Sequence, residues 1–448
     1  MDFVSFKNAV IARAEQLGIT EYELYYRADE STSVDVFKDE INEFSASSQG
    51  GVCFRCIVGG KMGYASTEEL SEAQAAAIVE KAADHATVLE SDEPVFLCEG
   101  GKTYENLQLQ PYALPGTEEL IRCALDTQKK LYATDSRVVD GCQTSVVAEA
   151  STIAICNSKG LDLRYDNNVT ALVVASVVSD GTEMTDAYRI KVGQLDKLDI
   201  DALTGKATED ALRKLGGEVA PTGQYPVVFD PQAMSDLLAT FCSVFSSEVA
   251  QKGLSRLADK EGAVIASEAV TLVDDPFHKD NPMPIHFDAE GCPTAKKNVI
   301  EKGVLKTLLY NMKTAAVAGR ETTGNGAKGG YDSPVVVRPF TMYIAPGQVT
   351  EEQLLEKAGN GVYITSLGGL HAGANPVTGD FSLQSAGFMI ENGKKTTAVK
   401  SFTVAGNFYD LLKGITLVAD NTELPRAMGM TAFGSPTVLV EGLSVAGK

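Results

Sequence analysis

Apolar residues Phe3, Phe6, Val10, Ala14 and Leu17 recur at three- and four-residue spacings, which predicts a helix over residues 3 to 17 buried along one side. The period then shortens. From Tyr22 to Ala65 the segments YELYYRA, TSVDVFK, NEFSASS, VCFRCIV and KMGYAS are short and rich in β-branched and aromatic residues, with Gly-Gly pairs as punctuation, and they predict an antiparallel meander. Ser66 with Glu69 three residues on predicts a capping box, opening an Ala-rich helix that runs to about Ala86. A second helix is expected after Pro115, Gly116 and Thr117, through EELIRCALDTQKKL. From Ser136 to Asp180 the pattern returns to strands, with Asn157-Ser158-Lys159-Gly160 placed as a hairpin turn, and a polar helix near ATEDALRKLG closes this half.

The stretch GGEVAPTGQYP, residues 216 to 226, gathers three Gly and two Pro between periodic segments and marks the main boundary. Residues 1–220 are read as an N-terminal α+β domain of helix, meander, helices and second strand block, and residues 221–448 as a strand-rich C-terminal domain. In the latter, VVFD reads as a strand and PQAMSDLLATFCSVFSSEVAQKGL as one helix. Short strands follow with turns at DAEG, IEKG and ENGK, and one clear helix, EEQLLEKAG. Helices and locally paired strands in separate blocks argue for α+β, an antiparallel sheet with helices followed by a barrel-like or sandwiched sheet body. No repeat of 20 to 50 residues suggests a solenoid.

Charge narrows the function classes. The 448 residues carry 39 Lys and Arg against 60 Asp and Glu, a formal net charge of −21, which repels nucleic-acid backbones and anionic lipid surfaces. The N-terminal residues lack a secretory pattern, and no apolar run approaches the ~18 residues that span a bilayer, so a cytoplasmic protein without nucleic-acid or membrane partners is expected. The eight Cys are scattered, and in a chain able to build its own core they read mostly as small buried hydrophobes. Cys53 and Cys56 form a C-x-x-C, but on a strand residues three apart point to opposite faces, so the pair is not expected to grip a metal.

Candidate chemistry is sparse. Gly324, Gly326 and Gly329 have G-x-G-x-x-G spacing, yet a helix-like stretch, NMKTAAVAG, precedes them and Tyr331 to Pro334 follow, so the strand-turn-helix of a dinucleotide site is missing and a structural or substrate-lining loop is the expectation. His85 reads as a helix C-terminal cation. His278 and His286 lie in a Pro-interrupted loop with Asp274, Asp275, Asp280 and Asp288, a set able to hold a divalent ion, although loop carboxylates usually face water. His371, in GGLHAGANPVTGD, is the best single histidine candidate, more as a loop contact than a catalyst. No G-x-S-x-G elbow, Walker loop or H-E-x-x-H helix occurs.

Four segments in the C-terminal half carry a resemblance: ETTGNG at 321 to 326, RPFTMYIAPG at 338 to 347, GGLHAGANPVTGDFSLQSAGFMIENGK at 368 to 394 and VKSFTVAGNFYDLLKGI at 399 to 415. In this order and spacing the chain resembles the TldD/PmbA family, whose founding members were named as modulators of DNA gyrase and linked to maturation of a peptide antibiotic. The resemblance covers nearly the whole chain. It implies one of two branches: TldD-like zinc peptidases with H-E-x-x-x-H on a helix and a later Cys as third ligand, or PmbA-like (TldE) subunits without that set.

On that resemblance the motif positions fall at Ser247, Glu248 and Lys252, with both histidines replaced and the Glu retained. The last Cys is Cys292, so no thiolate follows in the C-terminal region. The resemblance therefore implies a PmbA/TldE-like subunit of a two-component cytosolic metallopeptidase, itself non-catalytic and without cofactor. Zinc is expected only in a TldD-like partner that forms a heterodimer with it, and a homodimer is the alternative when the chain is isolated. Unfolded peptide is the expected substrate, with Thr323, Gly324, Asn325, Gly326, His371, Gly379 and Asp380 as candidate cleft residues. The plainer reading of Glu248 is an i, i+4 ion pair with Lys252. Two rival readings are an independent hydrolase with a relocated metal site, at His371 with Asp380 or in the His278/His286 loop, and a non-enzymatic regulator of the gyrase-modulator type.

Overall fold

The computed structural model describes residues 1–90, 93–109, 113–428 and 431–447. Helix α1 (Phe3–Gln16) starts where the Asp2 carboxylate accepts the Ser5 N–H at 2.7 Å, and it buries Phe6, Val10 and Ala14. The five meander segments merge into three long strands, β1 (Tyr22–Phe37), β2 (Glu40–Val58) and β3 (Lys61–Thr67). The polar run Arg27–Ser33 does not interrupt β1, because it pairs with β2 on one side and with β4 (Gln143–Asn157) on the other, so both ladders satisfy its backbone. Helix α2 (Glu72–Val88) is capped by Ser71, which accepts the Gln74 N–H; Ser66 belongs to β3, so the expected box at Ser66 and Glu69 is not the helix start.

Helix α3 (Thr117–Ala133) follows Gly116 as expected. The strand block becomes β4, β5 (Asp162–Ser179) and β6 (Met184–Gly193), and α4 (Ile200–Leu212) begins several residues before the predicted polar helix because Asp199 caps it. The six strands form one antiparallel sheet in the order β3-β2-β1-β4-β5-β6. Strand periodicity assigns its two faces. Leu24, Val34, Val52, Phe54, Val146 and Ala148, all even-numbered, pack under the four helices. Odd-numbered Tyr25, Ile153 and Ile155 pack against Ile285, Phe287 and Phe340 of the C-terminal half.

In that half a five-stranded barrel closes on itself: Val438–Ala446 pairs with Gly223–Phe229, then Gly361–Gly368, Asp380–Glu391 and Lys394–Asn407 follow, and the last returns to Val438–Ala446. Closure removes most open edges, which accounts for so many short strands in sequence. A six-stranded sheet containing Leu272–Asp274 and Thr341–Ile344 lies beside it. Helix α5 (Pro231–Phe241), capped by Asp230, carries the core between them, with Phe241 stacked on Phe408 at 4.6 Å.

The single helix predicted from Pro231 to Leu254 is broken. After Phe241 comes a 3-10 turn, Cys242–Phe245, then extended Ser246, then the five-residue α6 (Ser247–Gln251). The break exists because the backbone leaves the helix to form an isolated bridge with Leu309, whose N–H donates to the Phe245 carbonyl while the Ser247 N–H donates to the Leu309 carbonyl. Helix α7 (Met312–Val317) falls in the helix-like NMKTAAVAG stretch, α8 (Glu351–Ala358) is the predicted EEQLLEKAG helix, and α9 (Phe408–Gly414) was hidden among residues read as strand.

Candidate functional site

Ser247, Glu248 and Lys252 sit on and just after α6, not on the long helix. Ser247 is 1% exposed, and its hydroxyl bonds Thr314 of α7 at 2.8 Å. Lys252 donates to the Glu248 carboxylate at 2.7 Å, the i, i+4 pair of the plainer reading. Zinc, the metal of a metallopeptidase, needs about three imidazole, thiolate or carboxylate donors. Here one position is a neutral hydroxyl already engaged, another is an ammonium, and no His occurs anywhere between Pro231 and Leu254. These residues do not fit zinc, whichever six of them are taken as the motif. Among the described residues, no three His, Cys, Asp or Glu side chains are grouped to hold a metal.

The first candidate loop folds inward. Asn325 is fully buried, donating to Asp274 at 2.8 Å and to the Arg338 carbonyl at 2.9 Å while accepting from Lys297 at 3.0 Å. It is a strut beneath the loop, not an exposed cleft wall. Thr323 braces the turn through the Tyr310 backbone, and Gly326 donates its N–H to Asp288 at 2.8 Å. Gly324 has φ +67°, and a β-carbon there would stand 2.2 Å from the Pro293 carbonyl oxygen, so only glycine fits.

The second loop behaves differently. His371 and Asp380 are exposed, and the Asp380 carboxylate, accepting from Asn407 at 2.7 Å, is held below its usual pKa by that bond and by Thr378. Gly379 is buried at φ +82°, with the Tyr409 ring where a β-carbon would go. The two loops have separate sets of partners. His278 packs edge-on against Tyr343, and His286 against Tyr104 and Phe287, with its Nδ1 buried and unbonded; burial lowers the pKa of both rings.

The chemistry around the seam between the N-terminal sheet and the C-terminal half was legible only in part: Asp274 and Asp288 were read as possible metal ligands, whereas Glu23, Arg55 and Glu290 were not singled out. Asp274, fully buried, accepts the Phe340 and Thr341 N–H groups at 2.9 and 3.1 Å, besides Asn325 and Lys297. Glu23 and Arg55, buried on β1 and β2, pair at 2.7 Å. Burial pushes Asp288 up to about 7, and burial beside Asp288 pushes Glu290 up to about 8. A cavity of about 430 Å³ is lined here by Cys53, Arg55, Glu290, Lys313 and Lys328. Cys53 thus lies on this face and Cys56 under the helices, as strand geometry required of the C-x-x-C. The available signal was DAEG itself, a turn with two acids close to a buried apolar run.

Comparison with known proteins adds three matching family profiles: PmbA/TldA metallopeptidase domain 1 over residues 22–86, the central domain over 111–215 and the C-terminal domain over 222–447. A metalloprotease of Methanothermobacter thermautotrophicus is 28% identical, aligned over 88% of this chain and 87% of its own, and the PmbA homologue of Haemophilus influenzae is 25% identical over 87% and 85%. Among solved structures, a Thermotoga maritima protein provisionally designated a modulator of a DNA gyrase is 30% identical, with a TM-score of 0.89 over 99% of this chain and 100% of its own. TldE of Thermococcus kodakarensis, 24% identical, shares the fold at a TM-score of 0.87 over 98% and 99%.

Proposed function

The chain belongs to the PmbA/TldD metallopeptidase family, and from that premise we propose that it is a PmbA/TldE-like, non-catalytic subunit of a two-component peptidase. One observation carries the reading: the region that would hold the metal offers a bonded serine hydroxyl and a Glu248–Lys252 ion pair, and no imidazole. Glu248 alone does not acidify a water molecule, since that effect comes from a metal. In this role the chain joins a TldD-like zinc subunit in the cytoplasm, or pairs with itself when isolated, and acts in processing or degradation of unfolded peptide. No helix among the described residues is long and apolar enough to cross a membrane.

The chain's contribution is a wall of the peptide cleft. The exposed loop carrying His371, Gly379 and Asp380 is suited to contact an extended substrate, and the loop at Thr323, Gly324 and Gly326 is a second, separate candidate segment of the wall. Main-chain hydrogen bonding holds extended peptides with few special side chains. The test compares peptide cleavage by the chain alone, by an H-E-x-x-x-H homologue alone and by both together. Cleavage by the mixture well above either component supports the assignment; robust chelator-sensitive cleavage by the lone chain overturns it.

A further inference from the structure

Two of the eight cysteines meet across the seam. Cys98 lies between α2 and α3, and Cys292 closes the turn after Asp288, 194 residues away in sequence. Their Sγ atoms are 3.3 Å apart, both residues are at most 1% exposed, and both belong to the apolar cluster that joins the sheet's odd-numbered face to the C-terminal half.

Backbone anchors set this approach. The Cys98 carbonyl accepts from Asn157 Nδ2 at 2.7 Å, and the Gly100 N–H donates to the Lys159 carbonyl, so the segment is pinned to the β4–β5 hairpin turn. On the other side the Asp288 carboxylate accepts the Cys292 N–H at 2.9 Å, and the Asp288 N–H donates back to the Cys292 carbonyl. Tyr104, six residues past Cys98, donates its hydroxyl to the Gly291 carbonyl at 2.8 Å, a second tie between the same two segments. Both thiols therefore ride on hydrogen-bonded turns that hold their sulfurs in contact across the seam.

We infer that Cys98 and Cys292 form a peroxide-responsive dithiol, and that their oxidation to a disulfide staples the N-terminal sheet to the C-terminal half. The Cys292 S–H donates to the Cys98 sulfur, and the Asp288 carboxylate, which accepts the Cys292 N–H at 2.9 Å, stands beside Cys292; both favour the thiolate at Cys98 over Cys292, with Lys102 helping Cys98 and burial opposing charge on either sulfur. Cys98 is thus the attacking sulfur. Its thiolate attacks one oxygen of hydrogen peroxide and the O–O bond breaks; with one proton taken up, this leaves Cys98 sulfenic acid and water. Cys292 then attacks the Cys98 sulfur, its thiol proton leaves with the departing hydroxyl as a second water, and the S–S bond forms. Two thiols and one peroxide become one disulfide and two waters.

The experiment treats the reduced full-length chain with hydrogen peroxide, alkylates the remaining thiols and maps peptides without reduction. The expected result is a linked pair of peptides carrying Cys98 and Cys292, separated by dithiothreitol, and a Tm above that of the reduced form. C292S is expected to accumulate Cys98 sulfenic acid that dimedone traps, whereas C98S leaves Cys292 alkylatable. The inference is overturned if Cys98 and Cys292 remain alkylatable, or are found joined to other cysteines, at a peroxide level that has already oxidised the less buried Cys123 and Cys242. An unchanged Tm in the linked protein overturns the stapling role. The wild-type mapping needs no variant, so a folding defect in either serine variant leaves the test intact.

Discussion

The short helix α6 and the turn at Asp288–Cys292 are both built from ordinary polar residues, yet they differ in the state of those residues. At α6 the polar groups are satisfied locally: Ser247 bonds Thr314, and Glu248 bonds Lys252 at a half-open surface. At the seam the acids are buried and crowded, and Asp288 and Glu290 are displaced toward neutral pH. The position that family resemblance picks out has its polar groups paired locally, whereas the turn that no motif picks out buries two acids side by side. A motif locates where chemistry stands in relatives; burial and charge show where free energy is stored in this chain.

Substitutions can sharpen that contrast. The largest effect is expected from D274A, which strips Lys297, Asn325 and two backbone N–H groups of their shared acceptor and leaves the half-buried Lys297 ammonium without a carboxylate; a loss of roughly 3–5 kcal/mol in denaturant unfolding is expected. G324A should cost about 1–3 kcal/mol by the same measurement, because a β-carbon meets the Pro293 carbonyl and the positive φ is strained.

The pH response comes next. Burial beside Asp288 raises the folded pKa of Glu290 to about 8 from the ordinary carboxylate value near 4.5, so the native state binds the extra proton, and stability falls as pH rises from about 4.5 to about 8. E290Q, whose amide oxygen can still accept the Met312 N–H, should flatten that decline and gain roughly 1–3 kcal/mol over the wild type at pH 8, with little gain at pH 5. A decline of unchanged slope in E290Q would break the comparison. The smallest effect is expected at α6: K252A should change stability by no more than about 0.5 kcal/mol, because Lys252 is 61% exposed and the pair is screened by solvent.

Much of this architecture was legible in sequence where one period dominates. The 3.6-residue spacing of Phe6, Val10 and Ala14 and the period-two runs of β1, β2, β4 and β5 locate most of the N-terminal sheet and its helices. Residues 29 to 31 fell between two predicted strand segments because ladder pairing from two neighbours is a tertiary fact. The helix from Pro231 was overextended for a similar reason, since its end is set by Leu309, far along the chain. Of the candidate site, the Glu248–Lys252 pair was legible because it is local. The inward fold of Asn325 and the meeting of Cys98 with Cys292 were not, because each depends on packing between halves that no periodicity encodes.

The central claim is that the described residues bring together no donor set for a catalytic metal. Elemental analysis of the untagged chain, purified alone, incubated with zinc and then freed of excess metal, tests it most directly. The account predicts far less than one equivalent of retained zinc, whereas one tightly held equivalent per chain would contradict it.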